Sequence, residues 1–240
     1  MENPKHREPV SFARRGGRLT ERQQRAWDAL ADSHILDVPR RDTSTSVDPD
    51  YRFDSVEAFG RKAPLVVEIG SGRGEVIVDA AAQNPDTDFL ALEVYVPGIA
   101  QTLVSMRRAG VDNIRIALLD AAEALGTTIE PGSVDELWVF FPDPWHKNRH
   151  HKRRLVTADF AAKAARVLKP GGVWRLATDW QDYADQMLSV LAESPDFEFA
   201  GDWAPRFDDR ILTRFENKGL IVDRTIRDLV AVRSASPQSG

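Results

Sequence analysis

The chain has 240 residues, 42% of them apolar, and a formal net charge of −5, which suffices for one α/β domain with its own core and no covalent staples. It holds no cysteine and five histidines, which excludes a disulfide framework and a thiolate metal centre and leaves few ligands for any metal. Its longest apolar runs are of strand length, short of the roughly 20 residues that cross a bilayer, and no apolar leader opens it. A cytoplasmic protein with no membrane partner and no metal is expected.

Residues 1–25 carry seven Lys/Arg against three Glu and few apolar side chains, the composition of a basic arm that cannot bury enough surface to fold alone. From Asp28 to Glu57 the balance reverses to eight acids and three arginines, with Pro39, Pro49 and a Thr/Ser cluster. Residues 1–60 therefore read as a partly disordered arm and acidic linker, with one short helix around Glu21–Leu30. After Pro64, Leu65-Val66-Val67-Glu68-Ile69 is a buried-strand run ended by glycines and followed by a helix over Glu75–Gln83. Further strands are predicted near Phe89–Glu93, Ile114–Leu119, Val134–Phe141 and Val173–Thr178. Helices are expected near Ile99–Arg108, Ala158–Leu168 and Tyr183–Leu191. This alternation implies right-handed crossovers and a parallel sheet covered on both faces. Lys169-Pro170-Gly171-Gly172 stops a helix before the fifth strand. Phe197–Ala200, a loop, and Thr225–Val232 then predict a closing antiparallel pair. The domain spans 61–233, and residues 234–240 form a disordered tail.

Glu68-Ile69-Gly70-Ser71-Gly72-Arg73-Gly74 falls where the first strand turns into the first helix, the place where an open α/β sheet forms its ligand crevice. Gly70, Gly72 and Gly74 let a ligand approach the backbone. Glu93 ends the second strand, placed for ribose hydroxyls, and Asp120 ends the third, placed for an adenine amino group. An acidic rim suits a cation better than a polyphosphate, and S-adenosylmethionine carries a sulfonium and an ammonium and no phosphate. The spacing differs from the dinucleotide fingerprint, although a dinucleotide, or a plain tight turn, would also use these glycines.

Phe140–Arg154 reads FFPDPWHKNRHHKRR. Asp143 follows the fourth strand and faces the same crevice, with prolines on either side fixing its backbone before any substrate arrives. Trp145 is suited to stack on an extruded base. Lys147 to Arg154 places five Lys/Arg and two His in eight positions without interleaved acids. Such a run is often a solvated helix face; beside this loop and an aromatic, it predicts contact with nucleic-acid phosphates. A methyltransferase for another RNA base or a small molecule, or a non-catalytic RNA-binding module, are the alternatives.

Taken in order, Arg14-Arg15-Gly16-Gly17-Arg18-Leu19-Thr20, the glycine motif, Glu93-Val94 with Pro97-Gly98, Asp120-Ala121, Phe141–Lys147 with Arg149 and Lys152-Arg153-Arg154, Ala177-Thr178-Asp179 and Thr213-Arg214-Phe215-Glu216 resemble the bacterial tRNA (guanine-N7-)-methyltransferases over most of the chain. The resemblance implies a Rossmann-like class I methyltransferase fold, with a mostly parallel seven-stranded sheet, helices on both faces and an antiparallel last strand. It implies a cofactor site of Glu68, Gly70, Gly72, Gly74, Glu93, Asp120 and Asp143, with Asp143 also the catalytic acid. Lys147, Asp179, Thr213, Arg214, Phe215 and Glu216 would contact the target guanine or its nucleotide. Arg149, His150, His151, Lys152, Arg153 and Arg154 would meet the tRNA. The cofactor is S-adenosylmethionine, the target a variable-loop guanine of tRNA, and the assembly a monomer or homodimer. Tyr95, Ser71 and Leu119 depart from the family pattern.

Overall fold

A computed structural model describes residues 18–235. Most of the basic arm, with the Arg14–Gly17 part of the first matching stretch, and residues 236–240 of the expected tail lie outside the described residues. The elements run α1 (Glu21–His34), α2 (Ser55–Phe59), β1 (Leu65–Ile69), α3 (Glu75–Gln83), β2 (Asp88–Leu92), α4 (Val96–Ala109), β3 (Ile114–Ala117) and α5 (Ala121–Glu123). They continue with β4 (Val134–Phe140), α6 (Ala158–Val167), β5 (Leu168–Thr178), α7 (Gln181–Glu193), β6 (Phe197–Phe199), α8 (Arg214–Ile221) and β7 (Arg227–Arg233).

The strands form one seven-stranded sheet in the order β3-β2-β1-β4-β5-β7-β6. β7 lies antiparallel between β5 and β6, and the pairs from β3 to β5 are parallel. The order changes direction beside β1, which has β2 on one side and β4 on the other, so the crevice at their carboxyl ends is the topological switch point. Both faces are covered, and β1 is accordingly buried throughout, with four apolar residues and Glu68 rather than an apolar/polar alternation. Val67, Leu137 and Val139 face one core with Trp174, Tyr183 and Met187, while Val66, Trp138 and Phe140 face the other with Ile77 and Leu103. Neighbours along a strand thus serve opposite cores, as the two-residue period requires.

Three sequence expectations are revised. The acidic segment between α1 and α2 packs as a strap: Val38, Val47 and Phe53 are buried in the main core. Its ends join the sheet region through Leu36 N–H to the Ile116 carbonyl at 2.8 Å and Phe53 N–H to the Thr128 carbonyl at 3.0 Å. Three apolar side chains suffice to hold it while the acids face outward, so average composition misreads it. α1 runs to His34 rather than Leu30; a Thr20–Gln23 capping box starts it, and the His34 Nε2–Asp112 Oδ1 contact at 2.9 Å ties down its end. The third revision concerns the stretch read as a loop before Thr225, which forms α8, capped by the Thr213 hydroxyl accepting from Glu216 N–H at 3.0 Å. No helix among the described residues is long and apolar enough to cross a membrane.

Candidate active site at the strand ends

Gly70, Gly72 and Gly74 all adopt positive φ, at 70°, 57° and 71°. A side chain at Gly74 would also strike Thr102 of α4, with a Cβ only 2.5 Å from its side-chain atoms. Glycine is required here by backbone conformation and by close helix approach together. Gly72 N–H donates to Glu93 Oε2 at 2.6 Å, and Val94 and Tyr95 N–H donate to Oε1 at 2.7 and 2.8 Å. Glu93 therefore ties the glycine loop to the turn before α4, with three of about four acceptor directions of a carboxylate in use.

Glu68 lies beneath that loop, 4% exposed, and among the described residues its Oε2 has no hydrogen-bond partner. Burial and then the charge of Glu93 push its carboxyl up from 4.5 to about 8, against one opposing backbone hydrogen bond from Ile77. Burial also raises Glu93; its three N–H donors oppose the rise, and the charge of Asp143 adds to it. Asp143 thus belongs to the same electrostatic cluster as the two glutamates. Asp120 starts α5 by accepting from Ala122 and Glu123 N–H through Oδ1, and its own N–H is held by the strap's Thr45 carbonyl at 2.9 Å. The strap is thereby part of the rim. One buried oxygen of Glu68 has no partner among the described residues and lies among like charges, which favours a cation nearby, and a Cβ on Gly70 would meet nothing within 4 Å. The residues present fit S-adenosylmethionine, which brings positive charge to an acidic crevice.

The Asp143 loop is braced at both ends. Phe141 and Trp145 both have positive φ, 52° and 46°, a conformation that costs a bulky residue on the order of 1–3 kcal/mol and persists only where surrounding contacts enforce it. Phe141 N–H continues the β4–β5 ladder to the Ala177 carbonyl at 2.7 Å, and its ring packs on Phe215 with centroids 5.4 Å apart. Asp143 itself is exposed. Beyond it Lys147, Arg149 and Lys152 are exposed. Arg153 lies over the Trp145 ring at 5.1 Å, and His150 meets the same ring edge-on at 5.9 Å. Local burial and the cations Arg153, Arg149, Lys147 and Lys152 hold His150 below the usual imidazole range.

Arg154 departs from the expected phosphate contact. Its side chain is 1% exposed, and the guanidinium bonds to Pro144, Asp182, Gln186 and His151, so no face is left for RNA. His151 is drawn inward with it, 3.5 Å from Asp182.

Of the residues assigned to the guanine, Asp179 and those from Thr213 to Glu216 lie together, with Asp179 against Gly219 of α8, whereas Lys147 is in the exposed basic run; several of them have protein partners. Asp179 is 7% exposed and accepts from Arg224 at 2.7 Å. Glu216 is 1% exposed and paired with Arg206 and Arg210, so it holds α8 in place rather than offering a free carboxylate. Phe215 is exposed, and Arg214 pairs with Glu75 at the start of α3 at 3.3 Å. Sequence reasoning missed Arg210, fully buried between Glu216 and Asp228 with its Cζ 5.2 Å from the Phe140 ring centroid and 5.4 Å from that of Phe141. It also missed Arg206 and Arg224. All three lie in an ordinary mixed-charge stretch, where no local signal separates a buried arginine from a solvated one.

The family described as a putative methyltransferase matches residues 62–229. The tRNA (guanine-N(7)-)-methyltransferase of Cutibacterium acnes is 51% identical over 92% of this chain and 81% of that protein. Those of Paenarthrobacter aurescens and Burkholderia vietnamiensis are 45% identical over 92% of this chain and 90% of the relative, and 44% over 98% and 89%. The solved structure of the 16S rRNA methyltransferase KamB covers 82% of this chain and all of its own, with 18% identity and a TM-score of 0.57. A Thermotoga maritima SAM-dependent O-methyltransferase covers 75% of this chain and 62% of its own, with 16% identity and a TM-score of 0.50. At such identities the likeness concerns the fold.

Proposed function

The chain belongs to the tRNA (guanine-N(7)-)-methyltransferase family, and we propose that it methylates N7 of a variable-loop guanine in tRNA, in the cytoplasm. The observation that carries this reading is the position of Asp143. Its loop joins the buried glutamates of the cofactor rim on one side to an exposed Lys/Arg surface on the other.

Guanine N7 already carries an in-plane lone pair, so no base has to remove a proton before transfer. When bound, S-adenosylmethionine supplies an electrophilic methyl group on a sulfonium. The protein's task is alignment, exclusion of water and stabilisation of the positive charge that arrives on the purine. Asp143, exposed at the strand end and pre-oriented by its two prolines, is suited to orient the base and stabilise that charge. Glu68 and Glu93 favour the cationic cofactor, and Phe215, exposed and packed on Phe141 just before the Asp143 loop, offers an aromatic surface. Lys147, Arg149, Lys152 and Arg153 form the phosphate-facing side, with affinity that weakens as salt rises.

The test is to incubate the protein with unmodified tRNA and methyl-labelled cofactor, digest the RNA and identify the labelled nucleoside by mass. 7-Methylguanosine from a variable-loop position is expected. Its absence, or label in another nucleoside, overturns the reading.

A further inference from the structure

Arg154 sits one residue beyond the exposed basic run but points inward. Each side of its guanidinium has an acceptor: Nε donates to the Pro144 carbonyl at 2.9 Å, Nη1 to Gln186 Oε1 at 3.0 Å, and Nη2 to Asp182 Oδ2 and toward His151 Nε2 at 3.1 Å. Its Cζ lies 4.9 Å from the ring centroid of Tyr183, a side chain with no exposed surface. Asp182, Tyr183 and Gln186 all belong to α7, and Tyr183 is anchored in turn by Val156 N–H donating to its hydroxyl at 3.0 Å. The link therefore runs from a packed helix through Arg154 to the carbonyl of the residue that follows Asp143.

We propose that Arg154 is a positioning residue for Asp143: its buried guanidinium clamps the Pro144 carbonyl to α7 and keeps the Pro142–Trp145 loop in the conformation that aims the carboxylate. Phe141 is held at the other end by β5 and Phe215, and Trp145, at φ 46°, follows directly on the Pro144 that Arg154 holds. The planar fork matters, because a lysine ammonium in the same place cannot span Pro144, Gln186 and Asp182 together. The segment from Pro144 to Arg154 is closed into a loop by the same contact, so the clamp also sets where the 3₁₀ turn over Asn148–Arg153 is presented.

The inference rests on the methyl-transfer reading and is tested on the full chain with Arg154→Lys, Arg154→Met, Gln186→Leu and, as a phosphate-contact control, Lys152→Ala at an exposed position. Four quantities are measured: kcat and KM with unmodified tRNA, the slope of log tRNA affinity against log salt without turnover, cofactor Kd and Tm. Arg154→Lys and Arg154→Met are expected to lose about 100-fold in kcat, as for a displacement near the chemistry, with cofactor Kd and the salt slope unchanged. Gln186→Leu shows a smaller loss of the same kind, and combined with Arg154→Met it adds less than it does alone. Lys152→Ala instead reduces the salt slope by about one. A slope reduced by about one in Arg154→Met with kcat retained overturns the proposal and returns Arg154 to the RNA surface. So does a kcat loss that merely follows a fall in Tm. If Arg154→Met fails to fold, Gln186→Leu carries the test alone, and unchanged kcat there counts against the clamp. Failure of the wild-type enzyme to make 7-methylguanosine defeats the reaction reading, whereas failure of the clamp shows only among variants of an active wild type.

Discussion

Gly98 and Gly72 meet backbone to backbone: a Cβ placed on Gly98, in the first turn of α4, would lie 2.3 Å from the Gly72 carbonyl oxygen. The helix that follows β2 therefore presses directly on the glycine loop that follows β1.

Gly98→Ala leaves the fold's core untouched but forces one of two backbones to move, since a carbonyl cannot rotate away as a side-chain tip can. Overpacking of this kind costs about 1–3 kcal/mol, and the atom struck belongs to the glycine loop. Cofactor Kd is expected to weaken by about 10- to 100-fold, with tRNA affinity near wild type. Calorimetric titration with the cofactor checks it, and an unchanged Kd would show that the helix yields instead.

Glu68 links cofactor binding to pH. Its carboxyl is raised from 4.5 to about 8 in the free protein, so the folded state holds a proton that the unfolded chain has released. Between those two values the native protein binds more protons, and stability falls as pH rises, with a slope of at most about 1.4 kcal/mol per pH unit for one group. The contribution is complete below the unfolded value and gone above about pH 8. A cation favours the ionised carboxylate, so cofactor affinity should strengthen as pH rises towards about 8, with proton release on binding below that pH. Glu68→Gln should flatten both profiles, read by thermal melts and by titration in buffers of different ionisation heat.

Asp143→Ala should reduce turnover by about 100-fold or more, the range associated with loss of one electrostatic or orienting group in a site. Cofactor Kd should change little, because Glu68 and Glu93 remain. Asp143→Asn separates charge from geometry: an activity close to alanine's assigns the role to charge, and one close to wild type assigns it to orientation. Turnover unaffected by either substitution would remove Asp143 from the chemistry.

Arg210 neutralises two buried acids, Glu216 and Asp228, from opposite sides. Arg210→Met removes the guanidinium from buried Asp228 and leaves Glu216 with Arg206 alone, a change that typically costs about 3–5 kcal/mol. For a domain of this size that corresponds to a fall in Tm of roughly 6–20 °C. Asp228 lies on β7 and Glu216 on α8, so protection against hydrogen exchange should be lost first in those two elements. A Tm within 2 °C of wild type, read by calorimetry, would contradict the pairing.

Much of the scaffold was legible because its signals are local. β1 and α3 follow from an apolar run, a glycine break and a helix-forming stretch, and α3 occupies the predicted Glu75–Gln83. The rim acids were legible for the same reason: a carboxylate at the end of a parallel strand needs only the strand's boundary to be located. The strap and α8 were not legible. In the strap, Val38, Val47 and Phe53 are buried at intervals of nine and six residues, which matches neither the helical nor the strand period. α8 is a short, mostly polar Arg-Phe-Glu-Asn-Lys-Gly-Leu-Ile run with a glycine inside it and only Glu216 and Gly219 buried, so it takes its meaning from the walls it packs against.

The sequence by itself determined the alternating α/β order, the glycine turn and acids at the switch point, and the family to which the chain belongs. Those properties depend on neighbours within a few residues or on motif order. Only the tertiary structure decided which charges are groups for a ligand and which are internal fasteners. Arg153 and Arg154 are adjacent and chemically identical, yet one lies over Trp145 and the other is buried against α7. The difference comes from desolvation and partner geometry, set by α7, whose Asp182 and Gln186 lie 28 and 32 residues further along the chain.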